Sequence, residues 1–110
     1  MNLVYLACPY SHADPLVRLR RFNAANRAAG RLLSEGHFVL SPISHTHPIA
    51  ECCDLPKGWQ FWENLDRAYL ACCKAMFVLT LDGWLDSVGV QSEIKIAREM
   101  EIPINFMGEV

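Results

Sequence analysis

Four short apolar runs, separated by longer stretches with helical periodicity, constrain the fold of this chain more than any other feature. The runs are Leu3–Ala7, Phe38–Ser41, Met76–Leu81 and Pro103–Met107, and apolar and polar residues hardly alternate within them. Such runs are typical of parallel strands whose sheet is covered by helices on both faces. We therefore predict an α/β fold over residues 1–110: a single-domain, doubly wound, Rossmann- or flavodoxin-like parallel sheet of about four to five strands, connected by right-handed crossovers.

Three helices are predicted between the runs. The first extends from about Asp14 to Ser34 and ends at Gly36, the second covers about Trp59–Cys73, and the third covers about Gly89–Met100. An apolar stripe is expected to face inward on the second helix: Phe61, Leu65, Ala68, Tyr69 and Cys72. The segment Pro42–Gly58, rich in His, Pro and Cys, is predicted to be one long irregular connection, and long connections in compact domains are often functional.

Composition narrows the classes of partner. A chain with 52% apolar and 20% charged residues is not disordered, and 110 residues suit one domain. Ten basic and twelve acidic residues give a formal net charge of -2, so we expect neither a nucleic-acid nor a membrane partner. Five arginines gather on the first helix and are interpreted as a solvated face: Arg18, Arg20, Arg21, Arg27 and Arg31.

Cysteine usage and the apolar start of the chain predict a cytoplasmic location. The run at the start lacks a basic leader, and no run reaches the roughly 18 apolar residues of a membrane span. The five cysteines are an odd number and include the adjacent pairs Cys52-Cys53 and Cys72-Cys73, which favours reduced thiols over a disulfide framework. Neither pair has metal-finger spacing, and we predict no bound metal and no cofactor.

Ligands of open parallel sheets bind beyond the carboxyl ends of the strands, which defines the candidate site. The substrate-binding candidates that follow the first two strands are Cys8, Pro9, Tyr10, Ser11, His12, Ser44, His45 and His47. After the third strand, Ser87 and Gly89 lie at a predicted helix start, where free amides can bind a phosphate or carboxylate. Helix capping explains the same two residues equally well.

Three further residues have a structural and a functional interpretation. Glu93 lies about one turn inside the third helix, where it is either a carboxylate stabilised by the helix dipole or a catalyst. Asp66, in the middle of the second helix, is a surface aspartate or a site residue. Tyr5, inside the first strand, is a core aromatic or a phenol directed at the crevice.

The histidines raise the alternative of a metal-dependent hydrolase. His45 and His47 are two residues apart and would point the same way on an extended segment, where His12 and Cys8 could join them. A fourth ligand at a recognisable spacing is missing. Histidines that hydrogen-bond to a substrate, or that pack, are the other interpretation.

Four segments together resemble the nucleoside 2-deoxyribosyltransferase-like superfamily, and within it a group of short bacterial and phage proteins of unknown function. The segments are YLACPYSH, SPISHTHPIA, FWENLDRAYLACCKAMFVLTLDGW and DSVGVQSEIKIAREMEIPI, which cover nearly the whole chain. The resemblance implies one nucleoside 2-deoxyribosyltransferase-like domain over residues 1–110. It also implies a homo-oligomer, a dimer or higher. The chain departs from the superfamily at Lys74, where an acidic residue is usual, and in the CPYSH segment, which replaces a glycine-rich turn.

The resemblance assigns roles to individual residues. Glu93 matches the glutamate that attacks the anomeric carbon of a deoxynucleoside, and Ser87 and Gly89 match a pattern that helps to hold a 5'-phosphate. Asp66 matches an aspartate associated with the base and with protonation of the leaving group, and Tyr5 matches a tyrosine that orients the nucleophile. The implied activity is cleavage or transfer of the N-glycosidic bond of a nucleoside or its 5'-monophosphate. A non-catalytic nucleotide sensor that uses the same cleft is the alternative.

Overall fold

A four-stranded parallel sheet with helices on both faces forms the fold, in a computed structural model that describes residues 2–110. The strands are β1 (Leu3–Ala7), β2 (Phe38–Leu40), β3 (Cys73–Leu79) and β4 (Ile104–Met107). The helices are α1 (Pro15–Ser34), α2 (Pro42–Cys52), α3 (Trp59–Ala71) and α4 (Val88–Glu99). The predicted α/β fold is thereby confirmed. None of the helices within residues 2–110 is long and apolar enough to cross a membrane.

The strand order β2-β1-β3-β4 determines where a ligand can bind. β1 pairs with both β2 and β3, so that Tyr5 lies beside Leu40 on one side and Met76 on the other. The connection from β1 leads to α1 on one face of the sheet, whereas the connection from β3 leads to α4 on the other. The two loops therefore diverge at the carboxyl ends of β1 and β3, which is the switch point where sheets of this order form a crevice.

Each face of the sheet has its own apolar core. On one face, small side chains of α1 let the helix lie close to the sheet, and the buried cluster contains Leu6, Cys8, Ala24, Ala25, Ala28, Ala29, Leu32, Leu79 and Leu81. On the other face, α3 and α4 contribute to a cluster that contains Tyr5, Ala7, Leu70, Cys73, Met76, Val78, Val90, Ile94, Ile96, Ala97 and Ile102. Tyr5 thus belongs to the α4 side of the sheet, which matters for the site.

The ends of α1 agree with the predicted signals. Asp14 accepts a hydrogen bond from the Leu16 amide at 2.9 Å and caps the helix. At the other end Gly36 has φ +93°, and the His37 amide donates to the Leu32 carbonyl at 3.0 Å. A left-handed residue followed by this hydrogen bond is the usual glycine termination of a helix.

The predicted irregular connection over Pro42–Gly58 is wrong for most of its length, because residues Pro42–Cys52 form α2. Pro42 occupies the first helical turn, where its missing amide has no cost, and the helix continues through Pro48. Packing on α1 compensates for the poor propensity, since His47 stacks on Phe22 with ring centroids 4.3 Å apart. Tertiary contacts here override local preference.

The predicted inward face of α3 is also wrong, except for half-buried Tyr69. Phe61 is 50% exposed and Leu65 37% exposed, and Ala68 and Cys72 are exposed as well. The face that turns inward carries Trp59, Trp62, Asp66 and Leu70, which are spaced three, four and four residues apart. Two apolar stripes compete on this helix, and the one that contains an aspartate is the one that turns inward.

Candidate functional site

A cavity of about 580 Å³ lies at the carboxyl ends of β1 and β3, bounded by α2, α3 and the start of α4. Its volume is in the range of small-molecule binding sites. The lining residues used below are Cys8, Tyr10, Ser11, Arg21, Ile43, Thr46, Ala50, Trp59, Trp62, Asp66, Gly83, Ser87, Gly89 and Glu93. Between α2 and α3 the cavity is lined by Ile43, Ala50, Trp59 and Trp62 together with the polar side chains of Thr46, Lys57, Gln60 and Asp66.

Glu93 is a buried carboxyl at the wall of this cavity. It lies on the inward face of α4 between Val90 and Ala97, and only 6% of the residue is exposed. The phenol of Tyr5 donates a hydrogen bond to Oε2 of Glu93. Because Tyr5 sits in the middle of β1, the sheet itself holds the carboxyl in place.

Asp66 completes an acidic pair with Glu93. Burial raises the pKa of Asp66 to about 7, although hydrogen bonds with Glu93 and Tyr5 lower it. Burial, and then the negative charge of Asp66, hold the pKa of Glu93 well above its usual range. Burial followed by the charge of Glu93 raises the pKa of Tyr5, so the phenol remains a donor. Two carboxyls that share such a site retain a proton near neutral pH, because both cannot ionise cheaply.

The first turn of α4 presents unused backbone donors to the cavity. Ser87 caps the helix, since its Oγ accepts a hydrogen bond from the Val90 amide at 3.2 Å. The amides of Val88 and Gly89 have no acceptor among residues 2–110. A Cβ at Gly89 would be in ordinary van der Waals contact with Trp59 Cε3 at 3.7 Å and with Ser87 Oγ at 3.9 Å, without a clash. The capping interpretation of Ser87 is correct, and capping leaves its hydroxyl proton free to donate.

Arg21 joins the site, and its interpretation as part of a solvated face is wrong. Its guanidinium donates to the carbonyls of Ser11 at 3.1 Å and Asp82 at 3.3 Å. It also lies against Gly83, where a Cβ would be 2.7 Å from Nη2. The sequence carried a signal for this, since Arg18 and Arg21 continue the stripe of the buried residues Ala25 and Ala28 at spacings of three and four.

The other predicted residues divide into two groups. Cys8, Tyr10 and Ser11 line the cavity, and burial raises the pKa of the Cys8 thiol to about 12, so it serves as a small neutral side chain. Pro9 is fully buried and does not line the cavity. His12 is exposed and accepts a hydrogen bond from the Asp14 amide at 2.9 Å.

The remaining predicted residues lie on α2, which turns them away from the cavity. Ser44 and His45 line a separate, shallow depression at the edge strand β2. His47 is 7% exposed and lies behind Tyr10, with the phenol oxygen 2.5 Å from Nδ1. Burial lowers the pKa of His47, although the Glu51 carboxylate opposes this. His47 therefore supports the cavity wall as a neutral ring.

The histidines do not converge on a common point. Within residues 2–110, no three His, Cys, Asp or Glu side chains form a group that could hold a metal ion. His12, His45 and His47 lie in three different environments because α2 replaces the extended segment on which the metal hypothesis rested. The metal-dependent hydrolase has no geometric basis in this part of the chain.

The fold and the site together define a small, doubly wound α/β protein with a buried acidic pair and a ligand cavity at its switch point. The chain belongs to the family described as a domain of unknown function, DUF1937, whose model matches residues 2–109. No curated protein matches the chain.

Proposed function

We propose that this protein cleaves or transfers the N-glycosidic bond of a (deoxy)nucleoside 5'-monophosphate, with Glu93 as the nucleophile. The observation that carries the proposal is the buried pair of Glu93 and Asp66, held by Tyr5 at the wall of the cavity. Glycosidic bonds are commonly broken by two carboxyls, one ionised and one protonated. The likeness of the motifs to the nucleoside 2-deoxyribosyltransferase-like superfamily supports the same assignment.

Each carboxyl has a distinct part in the proposed reaction. The ionised Glu93 attacks the anomeric carbon through an oxocarbenium-like transition state, and the bonding pair of the N-glycosidic bond passes to the base nitrogen. The protonated Asp66 gives its proton to the departing base. Water, or a second base, then attacks the anomeric carbon and displaces Glu93, while Asp66 takes up the proton of the incoming nucleophile. Water yields a hydrolase, and a second base yields a transferase.

A shared proton suits this division of labour. The nucleophile and the acid need opposite protonation states at the same pH, and an acidic pair that retains one proton supplies both. Burial and the charge of Asp66 favour the protonated form of Glu93, and the hydrogen bond from Tyr5 opposes them, so the proposed reaction requires the shared proton to pass to Asp66 when the substrate binds. The pair therefore needs no external base or acid.

The polar side of the cavity supports a phosphorylated substrate. The amides of Val88 and Gly89, the Ser87 hydroxyl and the Arg21 guanidinium all belong to residues that line the cavity, and each is a hydrogen-bond donor. Helix N-termini and arginine forks are frequent partners of phosphate groups. This side of the cavity favours a nucleotide over a nucleoside.

Incubation with the four common 2'-deoxynucleoside 5'-monophosphates, followed by chromatography of the free bases, tests the proposal. We expect base release from at least one of them and its loss, by at least about a hundredfold, in Glu93→Gln, which keeps the shape of the side chain. Glu99→Gln, an exposed carboxyl on the same helix, is the matched control. Release that persists in Glu93→Gln would contradict the assignment of the nucleophile, and no release from any nucleotide would contradict the activity.

A nucleotide sensor remains the second candidate, because the donors at the start of α4 and Arg21 act independently of the acidic pair. In a sensor, Glu93 would accept a hydrogen bond from a sugar hydroxyl. Thermal-shift measurements separate the two, since a sensor is stabilised by a nucleotide that is recovered unchanged.

A further inference from the structure

Residues of α2 and α3 line the cavity together, and the part of the cavity between these two helices is called the slot here. The residues of α2 that line it are Ile43, Thr46 and Ala50, and those of α3 are Trp59, Gln60, Trp62 and Asp66. Apart from Gln60, the members of each set are three or four residues apart. Such spacing puts each set on one side of its helix. Asp66 is the only charged residue on these two faces.

Trp62 is a fixed, flat surface on one wall of the slot. Its indole Nε1 donates to the Pro56 carbonyl at 2.8 Å, and Phe61 packs edge-to-face against it with ring centroids 4.9 Å apart. Residues four apart on a helix are neighbours, so the indole stands one turn from the Asp66 carboxyl on the same side of α3. An acid and an aromatic platform therefore adjoin in the slot.

We propose that this slot binds the heteroaromatic base of the substrate, with Trp62 as the surface on which the base stacks. The inference rests on the proposed function, because an acid that protonates the departing base must touch that base. With the sugar at Glu93 and the base within reach of Asp66, the base extends along α3 toward Trp62. The apolar side chains of Ile43 and Ala50 cover its other face.

The chemistry of the slot indicates how bases are selected. Stacking on an aromatic ring is tolerant of base identity, because every base has a π-face. The Thr46 hydroxyl donates to the Pro42 carbonyl and the Lys57 ammonium to the Ala50 and Leu55 carbonyls. Few polar groups that line the cavity here are then left to read the edge of a base, chiefly the Gln60 amide and Asp66. The slot accordingly accepts purines and pyrimidines with affinities that follow their stacking area.

Binding measurements on two variants test the slot. In a Glu93→Gln background, which prevents turnover, Kd is measured by calorimetry for 2'-deoxyadenosine 5'-monophosphate and for 2-deoxyribose 5-phosphate, which lacks the base. Trp62→Leu should raise the Kd of the nucleotide by at least about fivefold, which is the lower end of the effect expected when a stacked aromatic ring is lost. The same substitution should leave the Kd of 2-deoxyribose 5-phosphate unchanged. Trp62→Phe should retain most of the affinity.

The controls separate this inference from the proposed function. Phe38→Leu, an exposed aromatic outside the cavity, should change neither Kd, and circular dichroism verifies that each variant is folded. Equal affinity for the nucleotide before and after Trp62→Leu would contradict the proposed base-binding slot, even if the unmodified protein, with Glu93 in place, releases bases. Conversely, suppose that Trp62→Leu loses affinity for the nucleotide but not for the sugar phosphate, and that the unmodified protein releases no base. That result would support the base-binding slot and contradict the proposed activity.

Discussion

Glu93 and Asp66 each lie on an apolar stripe of their helix. On α4, Glu93 shares its face with Val90 and Ala97, and on α3, Asp66 lies between Trp62 and Leu70. A carboxyl on an apolar stripe can be read directly from the sequence, and both residues were predicted as candidates. Their mutual approach does not follow from these stripes, because it depends on the packing of α3 against α4 and on Tyr5 reaching across from β1. Only the superfamily resemblance placed the three residues in one site.

Burial of these carboxyls makes the stability of the fold depend on pH. The folded pKa of Asp66 is raised from its usual value of 3.8 to about 7, so the native state binds more protons than the unfolded chain between those values. The contribution of Asp66 to the free energy of unfolding is therefore highest below about pH 4, and it is lost as pH rises through about 7. Glu93 shifts in the same direction.

We predict that Asp66→Asn stabilises the protein by on the order of 2 kcal/mol at pH 8 and by much less at pH 5. Urea unfolding of both proteins at the two pH values measures the difference. Asp82→Asn, at an exposed aspartate, serves as the control and should leave the pH dependence intact. An equal effect of Asp66→Asn at both pH values would argue against a carboxyl that is protonated by burial.

At the scale of elements, helix ends were easier to predict than helix faces. Asp14, Pro15 and Gly36 fix the ends of α1 through local chemistry, and the structure agrees with them. The inward face of α3 depends on which side the rest of the molecule covers, and two apolar stripes left that choice open. α2 was not predicted, because a segment with Pro48 and several histidines does not indicate a helix. Packing on α1 nevertheless supports the helix.

The two left-handed helix ends give a matched prediction. Gly36 has φ +93° after α1, and Glu101 has φ +58° after α4, where the Ile102 amide donates to the Ala97 carbonyl at 2.8 Å. A side chain in this region costs about 1 kcal/mol, whereas glycine adopts it freely. Glu101→Gly should therefore stabilise the protein by about 0.5 kcal/mol, and Gly36→Ala should destabilise it by about 1 kcal/mol.

Thermal or urea unfolding of the two variants measures these changes. Gly30→Ala is a suitable control, because Gly30 lies inside α1, a Cβ added there would meet no atom within 4 Å, and the variant should gain stability from helix propensity alone. If Glu101→Gly destabilises the protein, the Glu101 side chain makes a contact that contributes more stability than its left-handed backbone conformation costs.

For the whole molecule, the parallel sheet and its crevice followed from four apolar runs, because strand ends are the usual binding edge of such folds. The order of the strands, the slot between α2 and α3 and the position of Arg21 required the structure. Arg21 connects three elements, since it extends from α1 to the loops that follow β1 and β3. The homo-oligomer implied by the superfamily resemblance stays a prediction, which sedimentation equilibrium can measure.

Arg21 yields a prediction about substrate class. Arg21→Gln should weaken the binding of a 2'-deoxynucleoside 5'-monophosphate by about tenfold or more and leave the unphosphorylated nucleoside nearly unaffected, because a charged donor to phosphate is lost. Arg20→Gln is the matched control on an exposed neighbouring position. Calorimetric titration with both ligands measures the ratio. Equal losses for nucleotide and nucleoside would mean that Arg21 only fixes the loops.

Tyr5 pairs through its backbone with both neighbouring strands while its phenol holds Glu93. The group that orients the proposed nucleophile is therefore part of the strand whose amide hydrogens should exchange last, and only global opening of the domain releases it. Gly83 and Asp86, in the loop after β3, line the cavity but take no part in the pairing of the sheet, so local opening of this loop does not require that event. Opening of that loop would therefore leave the hydrogen bond between Tyr5 and Glu93 in place.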